Sequence, residues 1–336
     1  MMGPKRLWML FFLIPFLIMV ITGYSMGQDS PSITLLYTSD MQGNIDPCGC
    51  SKNPLGGIGA RASLLRLWKT RGNNHALLVD SGDAFASEKL FEAFNKPRRD
   101  FLVKVMNYVG YDLLNVGDTE FGFNRTALKE LGAQAKFPLV SANIIDKTTG
   151  KPFFTPYVIK EMGGLKIAFL GLITTKPSPR IPPHHIYRLL FADPITTARK
   201  YVPLVKGQSD LVIVVSHLGL SEDMNLAKGV PDIDIIIGGH DGKVLYDPIK
   251  IGKILILQAG DRGQYVGKLT LGFNGQKKIS SYRNELIPVD HEIYTPDPYV
   301  QGLLKDYLAK ERSGKVYSRD DSRKRLILPL PQPSSR

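Results

Sequence analysis

The sequence predicts a layered α/β fold, and three observations carry that prediction. From Ser32 onward, short segments rich in β-branched residues alternate with segments of helical spacing, which is typical of sheets with much parallel pairing. Gly, Asp or Asn bounds most of the apolar segments, as is usual for buried strands. The chain has 336 residues, of which 43% are apolar and 22% charged. This composition is globular and excludes disordered, collagen-like and coiled-coil chains.

The predicted strands are short and almost continuously apolar, as expected of strands buried on both faces. They span residues 33–38, 76–80, 113–116, 138–141, 165–173, 210–216, 233–238 and 254–258. Apolar and polar residues alternate with period two in 265–273 and 278–289. That pattern predicts two further strands that pair antiparallel at an edge of the sheet.

Helical spacing predicts helices between these strands. They span residues 58–69, 101–108, 125–135, 194–205, 221–228 and 297–310. Asn124, Asp193 and Ser221 directly precede or begin three of them and are predicted N-caps, since their side chains can accept a backbone N–H. Pro194 suits the first helical position, where no N–H is needed.

The two ends of the chain are predicted to lie outside the folded domain, which spans residues 32–311. Lys5 and Arg6 precede an apolar run over 7–21 and small residues up to Gly27, the layout of a secretory signal. The run is shorter than the ~20 residues of a membrane span, which favours a cleaved signal peptide over a signal anchor. We therefore expect an exported protein, periplasmic or anchored facing the periplasm. Residues 312–336 are predicted to be a basic disordered tail.

The net charge argues against a nucleic-acid partner. The formal charge is +12, of which Lys5 and Arg6 contribute two and residues 312–336 a net five. The remaining charge of about +5 is spread over nearly 300 residues, whereas nucleic-acid binding needs a dense basic face. A small molecule is the expected partner. Membrane contact is expected only through an uncleaved N-terminal segment, and the oligomeric state stays open.

Asp or His follows five of the predicted strands. The strand ends read Asp40-Met41-Gln42-Gly43, Asp80-Ser81-Gly82-Asp83, Gly117-Asp118-Thr119-Glu120, Ser216-His217 and Gly238-Gly239-His240. The carboxyl ends of parallel strands meet at one edge of a sheet, so ligands that are distant in sequence can share one centre. Carboxylate and imidazole ligands together suit Zn, Mn or Fe. The sequence therefore predicts a divalent metal centre at this edge.

The order and spacing of these motifs resemble those of the calcineurin-like metallophosphoesterases, in their 5'-nucleotidase branch. The resemblance runs from about residue 33 to residue 271 and includes residues 57–61 and 137–143. It covers the N-terminal metallophosphatase domain of that branch only. The resemblance implies a four-layer α/β/β/α sandwich and a hydrolase that acts on phosphoric esters of nucleotides or related compounds.

The resemblance also implies the metal ligands. One site would be formed by Asp83, Asp118 in place of the usual asparagine, His217 and His240. The second site would keep Asp40 and share Asp83, with Gln42 where histidine is usual and Gly242 where the last His or Gln would stand. Gln is a weak ligand and Gly has no side chain, so we expect one firmly held ion and a doubtful second one.

The residues that would transfer a proton in this family are replaced. Thr119 stands where the resemblance expects a histidine, and Gly122 stands where it expects the partner aspartate. No catalytic residue is therefore identified. Loss of a general acid or base typically costs a factor of ~10²–10⁴ in rate, so phosphomonoester hydrolysis is expected to be impaired.

Cys48 and Cys50 are the only cysteines, and they lie shortly after Asp40. They can form a buried pair or a strained short-ring disulfide, act as a redox pair, or supply a missing metal ligand. Exported relatives of this branch carry Cys-Gly-Cys here, and a sister group hydrolyses thiosulfonate. The alternatives to a hydrolase are therefore a periplasmic redox protein or one that handles a sulfur-containing substrate, and a metal-binding module without turnover. Arg61 is a weak candidate for contacting an anionic substrate.

Overall fold

The computed structural model describes residues 32–48, 54–70, 76–86 and 96–312. The predicted signal peptide or anchor, Cys50 and nearly all of the predicted basic tail lie outside these residues. Within the described ranges, every helix is too short or too polar to span a lipid bilayer.

The first sheet has six strands in the order β15-β14-β1-β2-β3-β4. Its strands are β1 (Ser32–Thr38), β2 (Leu77–Asp80), β3 (Leu113–Asn115), β4 (Leu139–Val140), β14 (Tyr265–Phe273) and β15 (Ile279–Pro288). The first four pair parallel, whereas β14 and β15 pair antiparallel as their period-two pattern predicts. The carboxyl ends of β1, β2 and β3 therefore lie side by side.

The second sheet has six strands in the order β12-β13-β11-β10-β8-β7. Its strands are β7 (Tyr157–Met162), β8 (Leu165–Ile173), β10 (Leu211–His217), β11 (Ile235–Gly238), β12 (Ile249–Ile251) and β13 (Ile254–Gln258). The central strands β8, β10, β11 and β13 pair parallel. A small third sheet joins β5 (Ile144–Asp146), β6 (Lys151–Pro152) and β9 (Leu189–Phe191).

Six helices lie between strands and a seventh follows the last strand, within the described residues. They are α1 (Ile58–Thr70), α2 (Lys96–Val109), α3 (Arg125–Gln134), α4 (Pro183–Ile186), α5 (Pro194–Lys206), α6 (Leu220–Gly229) and α7 (Pro298–Arg312), counted over the described residues. The predicted caps Asn124 and Asp193 accept the backbone N–H groups of Ala127 and Thr196.

The predicted N-cap Ser221 is wrong. Helix α6 begins one residue earlier, and its N-cap is Gly219, with φ of 87°. Asp241 accepts the backbone N–H of Leu220 at 3.1 Å, so a side chain from another loop satisfies a donor of the first turn. Sequence spacing alone does not reveal such a contact.

Three apolar clusters confirm the four-layer sandwich. The middle cluster joins the facing sides of the two sheets, with Leu35 and Val79 from the first and Phe169 and Ile213 from the second. The outer face of the first sheet packs on α1, α2, α3 and α7. The outer face of the second packs on α5 and α6. The order of layers is therefore α/β/β/α, and each sheet is covered on both faces, as parallel strands require.

Several strands of the structure were absent from the prediction. Strands β5, β6, β7, β9 and β12 are short or half-exposed, and they form edges or the small third sheet. Four of them mix polar and apolar residues, and β9 is an apolar segment of only three residues. Continuous apolarity identifies buried strands and misses these ones.

Candidate metal centre

Ser81 joins the two sheets at the edge where the polar strand ends meet. Its hydroxyl donates to the carbonyl of Gly238 at 2.9 Å, and its own carbonyl lies 2.9 Å from His217 Nδ1. A carbonyl oxygen only accepts, so Nδ1 carries a proton and Nε2 is left to face the carboxylates. The strand ends that follow β2, β10 and β11 are thus fixed to one another.

Asp118, His217 and His240 form one group of metal-ligand type. Their ligand atoms lie within 4.8 Å of one another. His217 Nε2 is 3.3 Å and His240 Nδ1 is 3.7 Å from Asp118 Oδ1. His240 Nδ1 is buried and has no hydrogen-bond partner among the described residues. The backbone N–H of Ser178 donates to the other oxygen of Asp118 at 2.7 Å, which orients the carboxylate.

Asp40, Asp83 and His217 form a second group, also with ligand atoms within 4.8 Å of one another. His217 Nε2 lies 3.2 Å from Asp83 Oδ1, so the same nitrogen faces Asp83 and Asp118. Asp40 accepts the backbone N–H of His240 at 3.0 Å. The two groups therefore share His217 and lie next to each other.

The backbone is arranged so that these side chains converge. Asp40, Asp83 and His240 have φ of 47°, 57° and 88°, a left-handed region that costs free energy for residues with a Cβ. A Cβ at Gly117 would lie 2.3 Å from Asp83 Oδ1, so no larger residue fits there. Strained backbone of this kind persists where the surrounding structure enforces it, often at functional sites.

The charges at this centre depend strongly on one another. Burial raises the pKa of Asp40, and the nearby Asp83 adds to the rise, so this pKa lies well above its ordinary value. Burial lowers the pKa of His217, but Asp83 and the hydrogen bond to Asp118 outweigh it and the pKa lies well above 6.5. Burial also raises the pKa of Asp118, yet its interactions with the imidazoles of His217 and His240 prevail and lower it.

These residues fit a divalent cation. Three buried carboxylates within reach of two imidazoles need positive charge between them, which protons or a metal ion can supply. Mixed oxygen and nitrogen donors suit Zn, Mn or Fe. The unpaired His240 Nδ1, together with the Nε2 of His217, offers nitrogen donors in the direction of the carboxylates.

Gln42 and Gly242, the two weak positions of the predicted second site, both have a left-handed backbone conformation. Gln42 is half-buried with φ of 54°, and its N–H donates to the carbonyl of Asp83 at 2.6 Å. Gly242 also has positive φ, of 61°. A Cβ built there would lie 3.2 Å from the Cβ of Asp261, so a carboxylate residue is its nearest neighbour.

Thr119 and Gly122 lie in a short 3₁₀ turn, Thr119–Gly122, that directly follows Asp118. The backbone N–H of Thr119 donates to Asp83 Oδ1 at 2.9 Å. Its buried hydroxyl has no hydrogen-bond partner among the described residues. Thr119 thus positions Asp83 through its backbone, and its side chain cannot do the work of an imidazole near neutral pH.

Arg61 is buried beside Tyr111 and Asp80. Its Nη2 donates to the hydroxyl of Tyr111 at 2.9 Å and lies 3.7 Å from Asp80 Oδ2. The residue is only 3% exposed. Its guanidinium therefore balances the buried charge of Asp80 and has little surface for a substrate, in contrast to the substrate contact considered from sequence.

Cys48 lies in the loop that follows β1 and is half-buried. The backbone N–H of Leu55 donates to its Sγ at 3.2 Å. The thiol also lies near Tyr265, whose pKa rises to about 12, chiefly through its hydrogen bond with Tyr246 and its burial and to a lesser extent through Cys48. Cys50 lies outside the described residues, so the proposed partnership of the two cysteines stays a prediction.

Glu120 is the main residue of the centre whose role the sequence did not reveal. Its carboxylate accepts the backbone N–H groups of Asp83 at 3.0 Å, Ala84 at 2.8 Å and Gly117 at 2.8 Å. It is fully buried, and burial followed by the charge of Asp83 raises its pKa to about 8. The only sequence signal was its place in the run Gly117-Asp118-Thr119-Glu120.

Known proteins resemble this chain in sequence and in fold. The chain is 31% identical over 295 residues to the 5'-nucleotidase of Vibrio cholerae serotype O1, an alignment that covers 77% of this chain and 52% of that protein. The chain spans about half the length of the first curated relatives it matches. No known family model matches it.

Solved structures show the same fold. A 5'-nucleotidase precursor from Thermus thermophilus superposes with a TM-score of 0.72 at 25% identity, over 84% of this chain and 59% of that one. The calcineurin-like phosphoesterase YfkN from Bacillus subtilis has a TM-score of 0.72 at 20% identity, over 85% of this chain and 99% of that one. Together with the shared motifs, these matches place the chain among the calcineurin-like metallophosphoesterases, in the metallophosphatase domain of their 5'-nucleotidase branch.

Proposed function

We propose that this chain is an exported, metal-dependent phosphoesterase that acts on a nucleotide or a related phosphoric ester. The observation that carries the proposal is the pair of ligand groups that share His217. Asp83, Asp118, His217 and His240 would hold one ion, and Asp40 would contribute to a second. In hydrolases of this kind a divalent ion lowers the pKa of water toward ~7 and neutralises charge on the phosphoryl group.

The chain's own residues determine which esters suit this centre. Thr119 and Gly122 provide no side chain with a pKa near neutrality beside Asp83, so a poor leaving group receives no proton from them. Esters with good leaving groups need no such proton. We therefore propose that activated phosphodiesters and aryl phosphates are hydrolysed faster than alkyl phosphate monoesters such as AMP.

A rate comparison tests the proposal. The protein, loaded with Mn²⁺ or Zn²⁺, is assayed with bis-(p-nitrophenyl) phosphate, p-nitrophenyl phosphate and AMP. Asp83→Ala and His217→Ala should abolish hydrolysis, because each removes a residue central to the ligand groups. The exposed Asp232→Ala and His184→Ala are the matched controls and should retain it.

Equal rates in wild type and in both site variants would refute the proposal. Tight metal binding without hydrolysis of any ester would favour a binding module.

A second candidate function rests on Cys48. The hydrogen bond from the backbone of Leu55 to its Sγ can stabilise a thiolate, which is the reactive form of cysteine. The protein would then be a redox or sulfur-handling protein that uses Cys48 and Cys50 beside the metal. A redox titration tests this candidate. A dithiol potential above ~−300 mV supports it, whereas a pair that stays oxidised in strong reductant contradicts it.

Export is proposed from residues 1–27 alone. N-terminal sequencing of protein recovered from the cell envelope tests it. A mature chain that begins near Gly27 indicates a cleaved signal, an intact N-terminus in the membrane fraction indicates an anchor, and protein found only in the cytosol contradicts export.

A further inference from the structure

A short antiparallel pairing holds Gly242 and Asp261 opposite each other. Val244 pairs antiparallel with Ala259, and the backbone N–H of Gly260 donates to the carbonyl of Lys243 at 2.9 Å. Continuing this register by two residues brings Gly242 opposite Asp261. Residues directly opposite in an antiparallel pair have their side chains on the same face of the ladder.

The space at Gly242 confirms that the two positions are neighbours. A Cβ at Gly242 would lie 3.2 Å from the Cβ of Asp261 and 3.5 Å from its Oδ2. The Asp261 side chain thus borders the volume that a side chain at position 242 would enter. A carboxylate therefore lies beside the position where the second site lacks a ligand.

The two chain neighbours of Asp261 form hydrogen bonds with Ser39 and Asp40. The hydroxyl of Ser39 donates to the carbonyl of Gly260 at 2.7 Å, and the backbone N–H of Arg262 donates to the carbonyl of Asp40 at 2.7 Å. The residues on both sides of Asp261 are therefore bonded to the end of β1. These bonds constrain the backbone position of Asp261 relative to that of Asp40.

The Asp261 carboxylate is accessible and only loosely paired. Its side chain is 32% exposed, and its nearest charge partner is Arg262 Nε at 3.5 Å. A strong charge-assisted hydrogen bond is ~2.7–2.9 Å long, and the Arg262 side chain is itself 59% exposed. Such a surface pair contributes little free energy, so a cation can displace the guanidinium at low cost.

We propose that Asp261 is a ligand of the second cation, next to Asp40, and replaces the side chain that Gly242 lacks. This inference rests on the proposed function, because it presupposes that the first cation binds. With Asp261 as a ligand, the second site would bind its cation through the carboxylates of Asp40 and Asp261. Oxygen donors of this kind favour Mn²⁺ over the softer ions.

Manganese binding tests the inference without reference to activity. Wild type, Asp261→Asn and Asp261→His are titrated with Mn²⁺, and bound metal is counted by elemental analysis. Electron paramagnetic resonance then detects the spin coupling expected of two ions ~3.5–4 Å apart. Wild type should bind two coupled ions. Asp261→Asn keeps the shape of the side chain but should lose the coupled signal and weaken the second ion by at least about tenfold.

The controls separate this inference from the proposed function. Asp261→His should keep the second ion, because imidazole is also a ligand, and the exposed Asp247→Ala should behave as wild type. Two coupled ions in Asp261→Asn with unchanged affinity overturn the role of Asp261 alone. A single ion in wild type also overturns it and leaves the first site intact. A wild type that binds no ion overturns the proposed function as well.

Discussion

The Glu120 carboxylate accepts the backbone N–H of Asp83 at 3.0 Å, and this bond fixes the turn that carries Asp83. Asp83 has φ of 57°, a strained conformation for an aspartate. The same carboxylate also binds the N–H groups of Ala84 and Gly117. Glu120 is thus a positioning residue that connects the strand ends after β2 and β3.

Substitution of Glu120 should release this turn. Glu120→Gln replaces one acceptor oxygen with a donor, which leaves at least one buried N–H unpaired and should cost about 1–3 kcal/mol in free energy of unfolding. Bound metal should also decrease, because Asp83 is no longer held. Urea unfolding and elemental analysis measure both effects. Glu292→Gln, at an exposed position, is the control, and the same stability in both variants would contradict the role of Glu120.

Removal of Arg61 should destabilise the domain. Its guanidinium lies 3.7 Å from the Asp80 carboxylate, and both side chains are almost fully buried. Arg61→Met keeps much of the packing but leaves the charge of Asp80 uncompensated, which should cost about 3–5 kcal/mol. Chemical denaturation measures the loss. Arg283→Met, at a position 75% exposed, should change stability by less than about 1 kcal/mol. A similarly small effect at Arg61 would show that Asp80 is neutral.

Stability should depend on pH through Asp223. This residue is fully buried, Ser216 donates a hydrogen bond to it, and burial raises its pKa from 3.8 to about 7. The folded state keeps a proton that the unfolded state releases above pH ~4, so this contribution to stability is lost as pH rises from ~4 to ~7. The slope is about 1.4 kcal/mol per pH unit.

The Asp223→Asn variant isolates this effect, because the amide does not titrate. Urea midpoints of the variant and wild type, measured between about pH 4.5 and about pH 7, give the difference in slope. The variant should become more stable relative to wild type as pH rises. Parallel pH profiles would mean that Asp223 is ionised in the folded state throughout this range.

Restoring an imidazole at position 119 should improve monoester hydrolysis. The double variant Thr119→His with Gly122→Asp recreates the pair that the family resemblance expects beside Asp83. A general acid typically contributes ~10²–10⁴ in rate, so hydrolysis of AMP should increase within that range. Hydrolysis of bis-(p-nitrophenyl) phosphate should change little, since its leaving group needs no proton. Thr119→Asn is the control for size, and no gain despite normal metal content would contradict the prediction.

The sequence determined the layered α/β class and most of the buried strands. Continuous apolar segments such as β8 and β10 can be stable only when both faces are covered, so their composition alone predicts a central position. It also indicated which residue types gather at the sheet edge, because Asp and His follow strands that run parallel. Asp83, Asp118, His217 and His240 were predicted in this way, and each belongs to one of the two groups whose ligand atoms lie within 4.8 Å of one another.

Only the tertiary structure decided how the centre is supported. Glu120, Arg61 and Asp261 each contact a partner on another loop or helix that is distant along the chain, and no local pattern reveals those contacts. The role of each residue depends on how deeply its charged group is buried and on how far that group lies from its partners. The role of a carboxylate or guanidinium depends on the groups that folding brings within a few ångströms of it. Hydrophobic periodicity and composition do not predict which groups those are.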